Sequence, residues 1–167
     1  MNKYDKARKE QLTRLVAGTI ANMGSFSTKA VTCIMMIIAH ESMGGTLREQ
    51  VISFDPTEDA RYKMAKDYAR GICQVEKFTH DDLWDNSDNI ADDFLNVFRY
   101  SDTYQDTTAD RLVYDDKYSI FIARKKLHMI MAAIPDDLQE MSRYLVKYYN
   151  AGGSAKELDY YNAYVEW

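Results

Sequence analysis

A chain of 167 residues with 46% apolar content is long enough for one domain with a true hydrophobic core. Its net charge of −5 and pI near 5.2 exclude the basic footprint of a nucleic-acid binder and oppose electrostatic adhesion to anionic cell envelopes. Two prolines and seven glycines are too little punctuation for an all-β fold. Apolar residues at helical spacing recur almost throughout. Over 5–22, Leu12, Leu15, Val16, Thr19 and Ile20 fall on one face. Ser27 or Thr28 can cap the next helix, whose body is an uncharged run from Ala30 to Ala39, too short to span a bilayer. It ends in His40-Glu41-Ser42-Met43-Gly44-Gly45, where the two glycines stop the helix.

The stretch 47–54 is ambiguous. Pro56 then opens a charged helix to about Arg70, with acids in its first turn. Gly71-Ile72-Cys73-Gln74-Val75 is short, apolar and β-leaning. Thr79 is the expected N-cap of a helix with acids just after it. An amphipathic helix follows over 87–100, burying Ile90, Phe94, Val97 and Phe98, and 101–110 reads as a loop. The helix predicted over 115–133 turns Tyr118, Phe121, Ile122, Leu127 and Ile130 inward, and Pro135 ends it. The next, over 136–149, buries Leu138, Met141, Leu145 and Tyr148. Gly152-Gly153 breaks it, and Ser154 caps a final helix running to Trp167. The predicted fold is mainly α, one domain over 1–167, with a small β patch near 45–75.

Glu41 is the most informative residue. A carboxyl at the end of an apolar rod sits where burial favours the protonated form, the form that acts as a general acid. The alternative is a carboxylate that merely caps a surface helix. Cys33, inside the apolar run, reads as a small core residue, and with Cys73 does not make the pattern of a disulfide-stapled secreted domain. The first ten residues are polar and contain no signal-peptide apolar region, so the chain is expected to be made in a cytoplasm without a cleaved signal. No segment is long enough for a transmembrane helix.

Other chemistries fit less well. His40-Glu41 begins a zinc motif, but the second His that it needs four residues on is Gly44. His80 and His128 could join it only through the fold, so no metal or other cofactor is expected. Ser42 lacks the strand-turn-helix elbow of a serine hydrolase. A lysozyme-type mechanism needs one protonated carboxyl at the glycosidic oxygen, with a second carboxylate as nucleophile or base. Asp55, Glu58, Asp59 and Glu76 are all candidates for that partner. Tyr148-Tyr149-Asn150-Ala151-Gly152-Gly153 brings aromatic faces and amides to a helix end, a composition suited to a neutral polysaccharide. Most of the thirteen tyrosines, among them Tyr4, Tyr62, Tyr68, Tyr100, Tyr118 and Tyr144, read as half-buried packing.

Three segments, in order, resemble the lytic transglycosylase branch of the lysozyme superfamily. Ile38-Ala39-His40-Glu41-Ser42 is similar to its Glu-Ser motif, Gly71–Val75 to its Gly-Leu-Met-Gln-Ile signature, and Tyr149-Asn150-Ala151-Gly152 to its Tyr-Asn-Ala-Gly motif. The stretch 116–127 resembles the helix before the last motif. The resemblance covers roughly 28–153, flanked by an N-terminal helix within 1–26 and a C-terminal helix within 154–167. The stretches 41–50 and 74–84 look like lysozyme-like proteins of tailed bacteriophages.

The resemblance implies a lysozyme-like fold and a peptidoglycan lytic transglycosylase. Glu41 would protonate the oxygen between N-acetylmuramic acid and N-acetylglucosamine, then act as base while the muramoyl 6-hydroxyl closes a 1,6-anhydro ring. The substrate's N-acetyl group assists, so no second carboxylate is required. Ser42, Gln74, Tyr149 and Asn150 would bind substrate, with Tyr149 orienting Glu41 and Asn150 shaping the wall. The implied partners are peptidoglycan glycan strands and other virion proteins, with no nucleic acid. The implied location is a phage particle, made in the host cytoplasm and acting at the cell wall. The chain departs from the pattern in three places. Glu41 and Gln74 stand 33 positions apart, with the segment 57–70 reading as an insertion. Gly44-Gly45 replaces bulkier residues, and Cys73 replaces a hydrophobic one. Two alternatives stand beside it: a structural virion protein that keeps the fold and works through assembly contacts, and a hydrolase with a second carboxylate.

Overall fold

The computed structural model describes residues 3–49, 68–98 and 106–167. The charged helix expected at 56–70, most of 47–54, and Asp55, Glu58 and Asp59 therefore lie outside the described residues, except that Ala69 and Arg70 form a strand. Eight α-helices and a two-stranded antiparallel sheet are described: α1 (Lys3–Asn22), α2 (Thr28–Glu41), β1 (Ala69–Arg70), β2 (Val75–Glu76), α3 (Lys77–Asn86), α4 (Ile90–Phe98), α5 (Arg111–Tyr114), α6 (Asp116–His128), α7 (Leu138–Tyr144) and α8 (Asp159–Glu166). The protein is thus mainly helical with a small β patch, as its patterning predicts.

α2 is the axis of the fold. Ser27 caps it by accepting the Ala30 N–H at 3.4 Å, and all of Ala30–Ala39 except the half-buried Thr32 is buried. α1, α6 and α8 pack around it. Burial on all sides is what an uncharged run without a polar face requires. At its C-terminal end, Gly44 and Gly45 both adopt left-handed backbone, with φ of 70° and 81°, a conformation that costs glycine least. Space imposes the same choice. A Cβ on Gly44 would sit 2.8 Å from the Trp167 indole, and one on Gly45 2.9 Å from the Arg8 guanidinium. Arg8 donates to the Gly45 carbonyl at 3.1 Å, so α1 and the chain's last residue clamp the end of α2.

The sheet pairs Ala69 with Glu76 and Arg70 with Val75. The β-leaning segment at 71–75 is therefore mostly the four-residue turn of a hairpin. Gly71 is required there: its φ is +75°, and a Cβ would lie 2.3 Å from the Leu112 carbonyl oxygen. The turn is tied to α6 by the Cys73 N–H, which donates to Ser119 Oγ at 3.1 Å.

Several element ends differ from the expectation. α3 starts at Lys77, with Glu76 and not Thr79 at the N-cap and no side-chain cap bond, because β2 runs directly into it. α4 is the shorter Ile90–Phe98, and all four predicted core residues are buried. α6 begins as predicted, with Asp115 accepting the Tyr118 N–H at 3.0 Å, but it stops at His128, before Pro135. Met129 and Met131 are exposed while Ile130, Ala132 and Ile134 pack against the core, an alternation that suits extended chain and not another helical turn. The helix expected over 136–149 is α7, capped by Asp137, followed by a π-helical turn over Leu145–Tyr149. Ser154 is exposed and does not cap α8, which begins at Asp159 behind Leu158. Among the described residues no helix is long and apolar enough to cross a membrane.

Candidate active site

Three elements meet at an open cavity of about 430 Å³ lined by Glu41, Gln74, Glu76, Lys126, Tyr149 and Asn150 among others. Each reaches it for a local reason. Glu41 is the last residue of α2 and is half-buried, held where the apolar helix meets solvent. Gln74 closes the hairpin turn in left-handed backbone, φ 47°, and its Nε2 donates to the Gly71 carbonyl at 2.8 Å. A non-glycine residue in this conformation is uncommon and such positions cluster at functional sites. Its amide oxygen stays available to accept a bond from a ligand. Asn150 follows the π turn, whose defining bond runs from the Asn150 N–H to the Leu145 carbonyl at 3.0 Å. The extra residue per turn re-aims the side chains that follow, a frequent use of such turns. Gly153 backs this wall: any Cβ there would overlap the Asn150 amide.

Four of the five residues named from sequence line the groove and one does not. Glu41, Gln74, Tyr149 and Asn150 come together on the cavity. Ser42 does not. It is fully buried, donates to the Ile72 carbonyl at 2.7 Å and accepts the Gly45 N–H at 3.0 Å. It is a strut joining the end of α2 to the hairpin turn, out of reach of a ligand in the groove. Tyr149 also departs from its expected role. Its hydroxyl is buried and donates to the Cys73 carbonyl at 2.8 Å, and burial holds its ionisation well above the usual range. Tyr149 therefore braces the hairpin and offers the groove a ring, not a hydroxyl.

The residue that holds Glu41 is Tyr160, which no sequence pattern singles out. Its hydroxyl donates to Glu41 Oε1, it is fully buried, and the Asn150 side chain bonds the same hydroxyl. Burial, and then the adjoining Glu41 charge, push its ionisation far up, so the phenol stays a donor. His40 packs on its ring, with centroids 4.3 Å apart. Tyr160 lies on α8, and only the packing of α8 across α2 brings it to Glu41. No spacing pattern could signal that.

Lys126 was missed as well, the last of three consecutive cations. Its ammonium donates to the Tyr149 carbonyl at 2.8 Å and lies 4.0 Å from the centre of the Tyr149 ring. Burial lowers its pKa, while the nearby Glu76 and Glu41 raise it. The groove thus holds two carboxylates and a cation near both. Of the second carboxylates considered from sequence, Glu76 lines it.

The remaining candidates lie apart from one another. His80 is buried between Asp81 and Tyr118, 2.8 Å from each, and His128 lines a different cavity. Among the described residues no group of three or more His, Cys, Asp or Glu is placed to hold a metal ion. Cys33 and Cys73 are free and buried, and burial pushes both thiols up to about 12, which makes them unreactive. No family model matches the chain, and no curated protein or solved structure matches it either.

Proposed function

We propose that this chain has a lysozyme-like fold and cleaves peptidoglycan as a lytic transglycosylase, breaking the bond between N-acetylmuramic acid and N-acetylglucosamine to leave a 1,6-anhydro end. One observation carries the reading: Glu41, Gln74, Tyr149 and Asn150, drawn from three distant segments, line one open groove. Glu41 is the acid. Tyr160 fixes one of its oxygens, and the other makes no hydrogen bond among the described residues. That free oxygen delivers the proton to the glycosidic oxygen and then takes the proton of the 6-hydroxyl as the ring closes. Proton transfer by a positioned carboxyl needs it within about 3 Å of its target, a position that Tyr160 presets. Gln74 accepts a hydrogen bond from substrate, Tyr148 and Tyr149 supply ring faces, and Asn150 anchors Tyr160. In a phage particle the enzyme would open the wall locally during genome entry.

A second reading, a hydrolase, is favoured by Glu76 lining the same groove. The test is digestion of purified peptidoglycan with product masses read by mass spectrometry. Anhydromuropeptides that vanish with Glu41→Gln and persist with Glu76→Gln are expected. Reducing-end products lost with either variant establish the hydrolase. A folded protein that yields neither product defeats both readings.

A further inference from the structure

A second cavity, about 290 Å³, shares no lining residue with the groove. It lies between the start of α2, the end of α6, the segment 130–134 and Tyr144. Arg124 lines it and is only 8% exposed. Its Nε has no hydrogen-bond partner, and Nη2 makes one long bond, 3.4 Å, to the Ser25 carbonyl. The buried Tyr144 hydroxyl beside it is also unpartnered.

This is unlike the rest of the molecule. The other buried arginines and lysine among the described residues each have a carboxylate within reach: Lys125 with Asp93 at 2.9 Å, Arg111 with Asp115 at 2.9 Å, and Arg70 with Asp110 at 3.8 Å. Arg124 has none, and the groups that act on its charge are Cys33 and Tyr144. Leaving a buried charge without a counter-charge is strongly unfavourable. His128 lies at the edge of the cavity, where packing around it, then repulsion from Arg124 and Lys125, push it down to about 4. At neutral pH it is uncharged and adds no competing cation.

Much of the rest of the wall is aliphatic, from Leu127, Ile130 and Ile134, with Met131 fully exposed at the mouth. Lys29 brings a second positive charge to the cavity, shared with Asp136 at 3.2 Å. We infer that this cavity binds an amphipathic monocarboxylate, its carboxylate on the Arg124 guanidinium and the Tyr144 hydroxyl and its short aliphatic body on Leu127, Ile130 and Ile134. A guanidinium and a carboxylate match as a planar, two-pronged pair. The volume sits at the small end of the range for small-molecule sites, about 300–1,000 Å³, so the body is short. Two sources carry this chemistry: a free medium-chain acid, and the C-terminus of a peptide ending in an aliphatic residue.

The test is calorimetric titration of the full chain with octanoate, with N-acetyl-Ala-Leu, and with the corresponding amides. Saturable one-site binding of an acid is expected, with its amide about tenfold weaker or worse, the loss of one charge-assisted hydrogen bond. The tighter of the two acids identifies the source. Arg124→Gln should weaken binding by at least about tenfold, and Tyr144→Phe by less. If Arg124→Gln does not fold, Ala133→Trp, at an exposed position on the wall, should block the cavity while leaving peptidoglycan cleavage unchanged. Absence of saturable binding to either acid overturns the inference. So does equal binding of an acid and its amide, or normal binding by folded Arg124→Gln or Ala133→Trp.

Discussion

The groove at Glu41 and the aromatic cluster around Tyr118 both set polar groups into apolar surroundings, and they differ in how those groups are satisfied. In the cluster every polar tip is engaged. The Tyr118 hydroxyl serves both His80, at 2.8 Å, and the Trp84 indole N–H, at 2.9 Å. His80 Nδ1 reaches Asp81 at 2.8 Å, and the Arg111 guanidinium lies 4.8 Å from the Tyr118 ring while pairing with Asp115. In the groove the engagement is partial. One oxygen of Glu41 is held and one is not, the Gln74 amide uses its donor and keeps its acceptor, and Glu76 is exposed. A closed network rigidifies a core, whereas an open one is costly to maintain and marks a place where something else completes it.

That contrast can be broken by variants that move activity and stability separately. Glu41→Gln should produce the largest effect, a loss of about 10²–10⁴-fold in wall cleavage, the usual worth of a general acid, with the thermal midpoint hardly changed. A midpoint that falls steeply would make Glu41 a structural residue. Tyr160→Phe should lower cleavage about 10- to 100-fold, the value of one hydrogen bond to a charged group, mainly in kcat and with a changed pH profile. An unchanged kcat would remove its positioning role.

The reverse pattern is expected on the structural side. Gly71→Ala should cost about 1–3 kcal/mol from its left-handed backbone alone, and more because its Cβ meets the Leu112 carbonyl, as read from chemical denaturation. Tyr118→Phe strands His80 and Trp84 and should cost about 1–3 kcal/mol, lowering the midpoint by about 2–4 °C per kcal/mol without changing the products of cleavage. If Tyr118→Phe abolished cleavage at full stability, the division between the two regions would fail.

The smallest expected effect is on the acid side of stability. Burial holds His80 below its ordinary 6.5, and burial with Arg124 and Lys125 holds His128 at about 4. Both are neutral in the folded protein, so below pH 6.5 the unfolded chain takes up more protons. Their contribution is complete above that pH and is lost progressively as pH falls toward 4. Thermal midpoints between pH 7 and 4.5 should decline, and His128→Gln should flatten part of the decline. A flat curve in the unmodified protein would show that neither histidine is held neutral by the fold.

The sequence alone determined the helical character, the buried α2 and the position of Glu41 at its end. These follow from local rules: an uncharged apolar run must be covered, and consecutive glycines end a helix. It also singled out Gln74, Tyr149 and Asn150. Their roles were less legible. The boundaries at Thr79, Pro135 and Ser154 were misjudged because tertiary context overrides a capping signal: β2 runs straight into α3, and Ile130, Ala132 and Ile134 pack on the core at the alternating spacing of extended chain. Only the tertiary structure decided that Ser42 faces inward, that Tyr149 spends its hydroxyl on Cys73, that Tyr160 holds Glu41 from 119 positions away, and that Arg124 is, among the described residues, the buried cation without a carboxylate. Periodicity tells which side of a helix is apolar. Which polar groups meet across helices depends on how those faces pack, and that is not a local property of the chain.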